Sequence, residues 1–175
     1  MGPMKLRKRH LLLPVLALGV LLLRNRRPEH LIAELMLERP ARRLPPERLV
    51  AALDKSGQTL QGRLATLPDT PGNREQLAHI VQIERWGTRR LRAFLGEAAP
   101  EDGSRAYRPD LTEGWAALKA HFLTARADLL QVAARLPTGA RGRKVVHNSF
   151  GPLSAGAWLR YLDTHATVEA RRLRR

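Results

Sequence analysis

Ser154-Ala155-Gly156-Ala157-Trp158-Leu159-Arg160-Tyr161-Leu162-Asp163-Thr164-His165-Ala166-Thr167-Val168-Glu169 is the stretch from which the fold can be read. At about 100° of turn per residue, Trp158, Leu162 and Glu169 fall within about 60° of His165, and Tyr161 and Val168 within about 60° on its other side. Arg160, Asp163, Arg171 and Arg174 take the opposite face. This is an amphipathic helix that Ser154 can cap and that runs almost to the terminus. Its apolar stripe carries two ionisable residues, His165 and Glu169, where an unpartnered charge would be costly. A spacing of four places two side chains one turn apart on one face, which is how a helix offers two ligands to a metal ion. A His–Glu hydrogen bond inside the core, or a pairing of Glu169 with an arginine from a neighbouring helix, satisfies the same pattern.

Working outward, the same periodicity recurs three times. Asp110 or Thr112 can start a helix that carries Leu111, Trp115, Leu118, Phe122, Leu129, Val132 and Leu136 and stops at Pro137. Asn73 can cap another, with Leu77, Ile80, Ile83, Leu91 and Phe94, ending near Gly96. Leu49, Leu53, Leu60, Leu64 and Leu67 form one stripe of a further helix that Pro68 ends. No alternation of period two is visible. Four amphipathic helices separated by Gly/Pro-rich breaks predict an all-α four-helix bundle. The second and third connections are long enough for crossovers, so the spacing leaves the order of helix directions open. On the second helix His79 lies near Ile83 and Trp86, at the edge of the apolar arc, and Glu84 reads as a structural ion-pair partner. His121 and His147 are weaker ligand candidates, and His10 and His30 carry no pattern.

The 175 residues hold 31 Lys/Arg against 16 Asp/Glu, a net charge of +15, with 43% hydrophobic residues and no cysteine. That apolar content supports a packed core and excludes a wholly disordered chain. The missing cysteines exclude disulfides, thiolate metal sites and a thiol nucleophile. The charge concentrates in residues 1–46, which divide from a bundle domain at 47–175 and end in the proline-rich stretch Pro40–Pro46, read as a linker. Within the N-terminal segment, Lys5, Arg7, Lys8 and Arg9 precede the apolar run Leu11–Leu23, and Arg24, Arg26 and Arg27 close it. As a helix that run reaches about 20 Å, short of the roughly 30 Å of bilayer hydrocarbon. No small-residue cleavage site follows it. An uncleaved membrane-associating segment over residues 5–27, a packed helix, and translation starting at Met36 all fit. A cytoplasmic location is expected, membrane-associated if residues 5–27 engage lipid. Arg141, Arg143 and Lys144, with Arg171, Arg172, Arg174 and Arg175, could meet nucleic-acid phosphates. Cations in a last turn also suit a helix C-terminus, so nucleic acid is the less favoured partner.

Three stretches resemble one family. Leu77-Ala78-His79-Ile80-Val81-Gln82-Ile83-Glu84-Arg85-Trp86, the loop His147-Asn148-Ser149-Phe150-Gly151-Pro152-Leu153 and the run Trp158 to His165 are similar to the DinB-like superfamily of damage-inducible proteins. The resemblance covers about residues 47–175. It implies an up-down-down-up four-helix bundle and a divalent metal, nickel or zinc, held by one histidine of the second helix and two residues at i, i+4 on the fourth. By position these are His79, His165 and Glu169, the last standing where the family has a third histidine. A carboxylate can complete a set of two histidines and one acid, changing metal preference more than it abolishes binding. Relatives that act as thiol-dependent transferases have their glutamate four residues before the last histidine, whereas here it follows. The resemblance implies a metal-dependent hydrolase or a transferase using a low-molecular-weight thiol, acting on an unidentified small molecule, with a homodimer as the expected assembly. A non-catalytic basic bundle that binds nucleic acid or a membrane surface is the alternative.

Overall fold

The structure, a computed structural model, describes residues 28–137 and 142–175. The expectations placed on residues 5–27, on His10 and on Arg141 lie outside the described residues. The chain is mostly helical. A short helix α1 (Pro28–Ala33) passes through a π-helical segment (Glu34–Glu38) into α2 (Arg39–Arg42). Four long helices follow: α3 (Pro46–Leu64), α4 (Pro71–Arg92), α5 (Gly114–Ala134) and α6 (Ala155–Ala170). Between α5 and α6 stands a hairpin of β1 (Val145–His147) and β2 (Gly151–Leu153), with Val145 opposite Leu153 and His147 opposite Gly151.

The helix boundaries follow from local chemistry. Pro46 and Pro71 occupy first helical turns, where the ring's fixed φ fits and no N–H is lost from the ladder. Gly96, at φ 103°, closes the turn after α4 in a left-handed conformation that favours glycine. Ser154 caps α6 as expected, its hydroxyl accepting from the Ala157 N–H at 3.2 Å. Asp110 accepts from the Thr112 N–H at 2.8 Å and starts a short 3-10 turn ahead of α5. The cap expected of Asn73 belongs instead to Thr70, whose hydroxyl accepts from the Asn73 N–H. The Asn73 side chain is buried and ties the connection between α3 and α4 to the segment that follows α6. Its amide donates to the carbonyls of Pro68 and Arg174 at 2.9 Å and accepts from the Arg174 N–H.

Side-chain contacts fix the helix directions. Arg63 near the end of α3 donates to the Ala170 carbonyl at the end of α6 (2.6 Å), and Gly156 at the start of α6 lies against Leu49 near the start of α3, so these two are parallel. Gln76 in the first turns of α4 meets Glu169, and Gly87 further along meets Leu162, so α4 runs against α6. Arg92 at the end of α4 reaches Asp128 in the last third of α5 (2.6 Å), so α4 and α5 run together. The order is up-down-down-up. Both α3 and α4 pack on α5 and α6, so consecutive helices α3 and α4 stand across the diagonal. The parallel α4–α5 pair requires a crossover, and the segment 97–113 returns along α4. It is held there by Arg90 and Trp86 donating to the Asp102 carbonyl and by Gln82 donating to Ser104.

Two apolar layers fill the bundle. Leu53, Trp86, Leu129, Trp158 and Leu162 belong to one; Leu60, Leu77, Ile80, Phe122 and Leu173 belong to the other. Glu84 and Arg126 meet between them, both buried, and the guanidinium also donates to the Leu53 carbonyl at 2.6 Å. Helix packing is close where side chains are missing: a Cβ on Gly87 would overlap the Leu162 side chain. Gly87→Ala is therefore expected to destabilise the fold by about 1–3 kcal/mol through overpacking, although alanine is the better helix former. The urea midpoint of the variant should fall with the slope of the transition unchanged.

Two details add to the expected helical bundle. A short hairpin joins α5 to α6: each strand is three residues long, too short for an alternation to show, and Trp158 Nε1 anchors it by donating to the Val145 carbonyl at 3.1 Å. Within the stretch Pro40–Pro46, Pro40 sits in α2 and Pro46 opens α3. Ala33, Leu37 and Ala41 extend the first core layer, and the buried Glu38 carboxylate accepts from the Ser154 N–H (2.8 Å) and hydroxyl (2.9 Å), with Lys144 3.3 Å away.

Candidate metal centre

Antiparallel packing of α4 on α6 brings His79, in the early turns of α4, across from the i, i+4 pair on α6. One ligand atom from each of His79, His165 and Glu169 lies within 4.8 Å of the other two. The two imidazoles meet Nε2 to Nε2 at 3.2 Å with their planes 62° apart. Glu169 is 9% exposed, and its Oε2 accepts from Gln76 Nε2 and from Arg172 Nη1, each at 2.8 Å. Both bonds use the same oxygen, so Oε1 keeps its lone pairs for a ligand. The arginine that pairs with Glu169 is Arg172, three residues further along the same stretch of chain and not on a neighbouring helix, and the three donor groups converge all the same.

The electrostatics suit ligation. Burial, reinforced by His79, lowers His165 to about 4 against the opposing pull of Glu169. Burial also lowers His79, with Glu169 opposing and Arg108 and Arg172 adding to it. Both rings are therefore neutral at pH 7, the form a metal requires. Two imidazole nitrogens and one carboxylate oxygen form a donor set suited to zinc, nickel or iron(II), with coordination positions left over. The residues present thus fit a divalent ion.

The other candidates lie elsewhere. His121 is paired with Glu113 near the surface at 2.8 Å. Glu84 is the ion-pair partner of Arg126, and burial raises its carboxyl despite that guanidinium. His147 is more deeply placed than a loop position suggested: it is 5% exposed, against Trp86, Trp158 and Phe150 and 4.5 Å from the ring of Tyr161. Tyr161 in turn lies 5.7 Å from the ring of His165. Its position four residues before His165 was the sequence signal for that proximity.

Burial, with Arg90 and His165 adding, holds His147 down to about 4, against 6.5 for a free ring. Between those values the unfolded chain carries a proton that the fold does not, so this histidine's contribution to stability is complete above pH 6.5 and is lost as pH falls toward 4. At pH 4 the loss is on the order of 3 kcal/mol. Urea unfolding at pH 7 and pH 4.5 should show a smaller acid loss in His147→Gln than in the parent chain.

A helical bundle with a partly buried His-His-Glu cluster that could hold a metal defines the class. Compared with known families, residues 68–168, more than half of the chain, match the DinB superfamily. The chain belongs to the DinB superfamily. The matched span includes His79 and His165 and ends one residue before Glu169. Comparisons with curated proteins and with solved structures found no match.

Proposed function

We propose that this chain is a metal-dependent protein in which His79, His165 and Glu169 hold one divalent ion, nickel or zinc, and that it acts as a hydrolase or a thiol-dependent transferase on a small molecule. The observation that carries this reading is the convergence of the three donors within 4.8 Å of one another on helices from distant parts of the chain. When bound, the ion supplies Lewis-acid chemistry, polarising a substrate oxygen or lowering the pKa of water or of a low-molecular-weight thiol. The chain's own part is to present neutral imidazoles, to hold Glu169 in place through Gln76 and Arg172, and to surround the centre with packed side chains. Protein purified without chelator and dialysed against zinc or nickel should retain about one ion per chain; failure to retain either ion defeats the proposal.

A second reading concerns the N-terminal segment. No helix among the described residues is long and apolar enough to cross a membrane. Yet Leu31, Ile32, Leu35 and Met36 form an exposed apolar stripe on the outer side of α1 and its π-helical extension, directly after the basic and apolar residues 5–27. Such a stripe flanked by cations suits an anionic membrane surface. Co-sedimentation with phosphatidylserine vesicles that is unchanged on removing residues 1–35 would count against this reading.

A further inference from the structure

A cavity of about 340 Å³ opens where α2, the start of α3, the end of α5 and the start of α6 meet. It lies apart from the metal centre: Gly156 on its wall and His165 are nine residues apart on α6, roughly 14 Å along the helix axis. Leu49 and Leu159, both buried, line it together with Leu136 and the exposed Leu44. Ala41, Ala133, Ala155 and Gly156 occupy further positions on its wall. Small residues there hold open a space that larger side chains would fill, whereas protein interiors are otherwise closely packed. Among the described residues, no side chain lining the cavity leaves a buried polar atom without a partner. Nothing inside it calls for a hydrogen bond, so whatever enters it is apolar.

The mouth is charged. Glu38 is engaged within the protein, its oxygens accepting from the Ser154 N–H and hydroxyl, with Lys144 Nζ 3.3 Å away. Lys144 and Arg42 both line the cavity, and their side chains are 43% and 55% exposed, so the two cations stand on its solvent side. Lys144 meets Glu38 and Arg42 meets Glu34, yet an ammonium has three donors and a guanidinium five, so each keeps N–H groups for another acceptor. Arg39 also reaches Glu34, at 3.6 Å, and three cations against two acids leave one positive charge in excess. The first turn of α6, through Ala155 and Gly156, borders the same space and adds the partial positive charge of a helix N-terminus. We propose that this cavity binds a single-chain anionic amphiphile of the medium-chain fatty acid type, its chain among the leucines and its carboxylate at Lys144 and Arg42. A cavity of about 150 Å³ suffices for benzene, so this one has room for a chain of roughly eight to ten carbons.

Equilibrium dialysis of the full chain against octanoate, 1-octanol and octylammonium tests the proposal. The parent should take up about one octanoate per chain, bind octanol at least tenfold more weakly, and bind octylammonium more weakly still. The double change Arg42→Gln with Lys144→Gln should weaken octanoate at least tenfold and leave octanol within about twofold. Ala133→Leu, which places a larger side chain in the cavity, should weaken octanoate and octanol alike at least tenfold. If that variant does not fold, the head-group comparison and the charge variant decide alone. No octanoate uptake by the parent, octylammonium bound as well as octanoate, octanoate unaffected by the double change, or octanoate held undiminished by folded Ala133→Leu would each overturn the proposal, the last by placing the acid on the basic surface.

Discussion

Alanine in place of His165 is expected to weaken zinc or nickel binding at least 100-fold while leaving the bundle folded. Loss of an outer-shell partner of a metal ligand costs about 10–100-fold, and loss of a ligand itself costs more. His165 is one of three donors and sits 3.2 Å from His79, so its removal leaves one nitrogen and one carboxylate on facing helices. Gln76→Ala, which removes a hydrogen bond to Glu169 Oε2, should fall in the smaller, outer-shell range. The fold should tolerate the His165 change for a physical reason. Burial lowers the His165 ring to about 4, so in the metal-free chain protonation of this residue opposes folding as the pH falls. His165→Ala should therefore resist acid better than the parent, a result that separates lost ligation from misfolding. Calorimetric metal titration at pH 7, with urea unfolding at pH 7 and 4.5, reads both effects.

The second large effect concerns the ion pair between the two core layers. Arg126→Ala is expected to cost about 3–5 kcal/mol, because it strips the partner from a carboxylate that remains buried. Glu84 is 1% exposed and Arg126 5%. The guanidinium bonds Glu84 Oε1, the Leu53 carbonyl and the Ser56 hydroxyl, lies 5.6 Å from the centre of the Phe122 ring, and fits because Gly57 has no side chain. Burial already raises the Glu84 carboxyl. Without Arg126 nothing opposes that, and the variant should bind a proton on folding at pH values above the ordinary glutamate range. Replacing both partners, Glu84→Leu with Arg126→Met, should recover most of the loss, since two apolar groups of similar volume leave no charge unpaired. Denaturant unfolding of the two variants against the parent checks this.

Much of the architecture was legible in the sequence because its signals are local. The Leu49, Leu53, Leu60 and Leu64 stripe and the Ser154 cap act within a few residues of themselves. What escaped depends on partners distant in sequence. Asn73 looked like a cap because its type suits one, but its side chain bridges to the Arg174 backbone. The hairpin is held by the Trp158 indole and by its own short ladder, which leaves no periodic trace. Residues 33–41 read as part of the basic N-terminal segment, since their inward face is only Ala33, Leu37 and Ala41 plus a glutamate whose partner is Ser154.

The site divides the same way. His165 and Glu169 were visible as a pair because four residues make one helical turn. His79 was placed beside them by family resemblance, and the packing of α4 against α6 supplies the geometry. His147 and Tyr161 were each noted, one in a loop and one on the His165 stripe, but neither the burial of His147 nor the contact between the two rings could be read from spacing.

The central claim is that two imidazoles and one carboxylate share a single ion. X-ray absorption on the zinc-loaded full chain tests it directly. Two imidazole nitrogens are expected at about 2.0–2.1 Å and carboxylate or water oxygen at about 2.0–2.2 Å, with the imidazole scattering reduced from two rings to one in each of His79→Ala and His165→Ala. A shell made only of oxygen, or an imidazole signal undiminished in both variants, would contradict it.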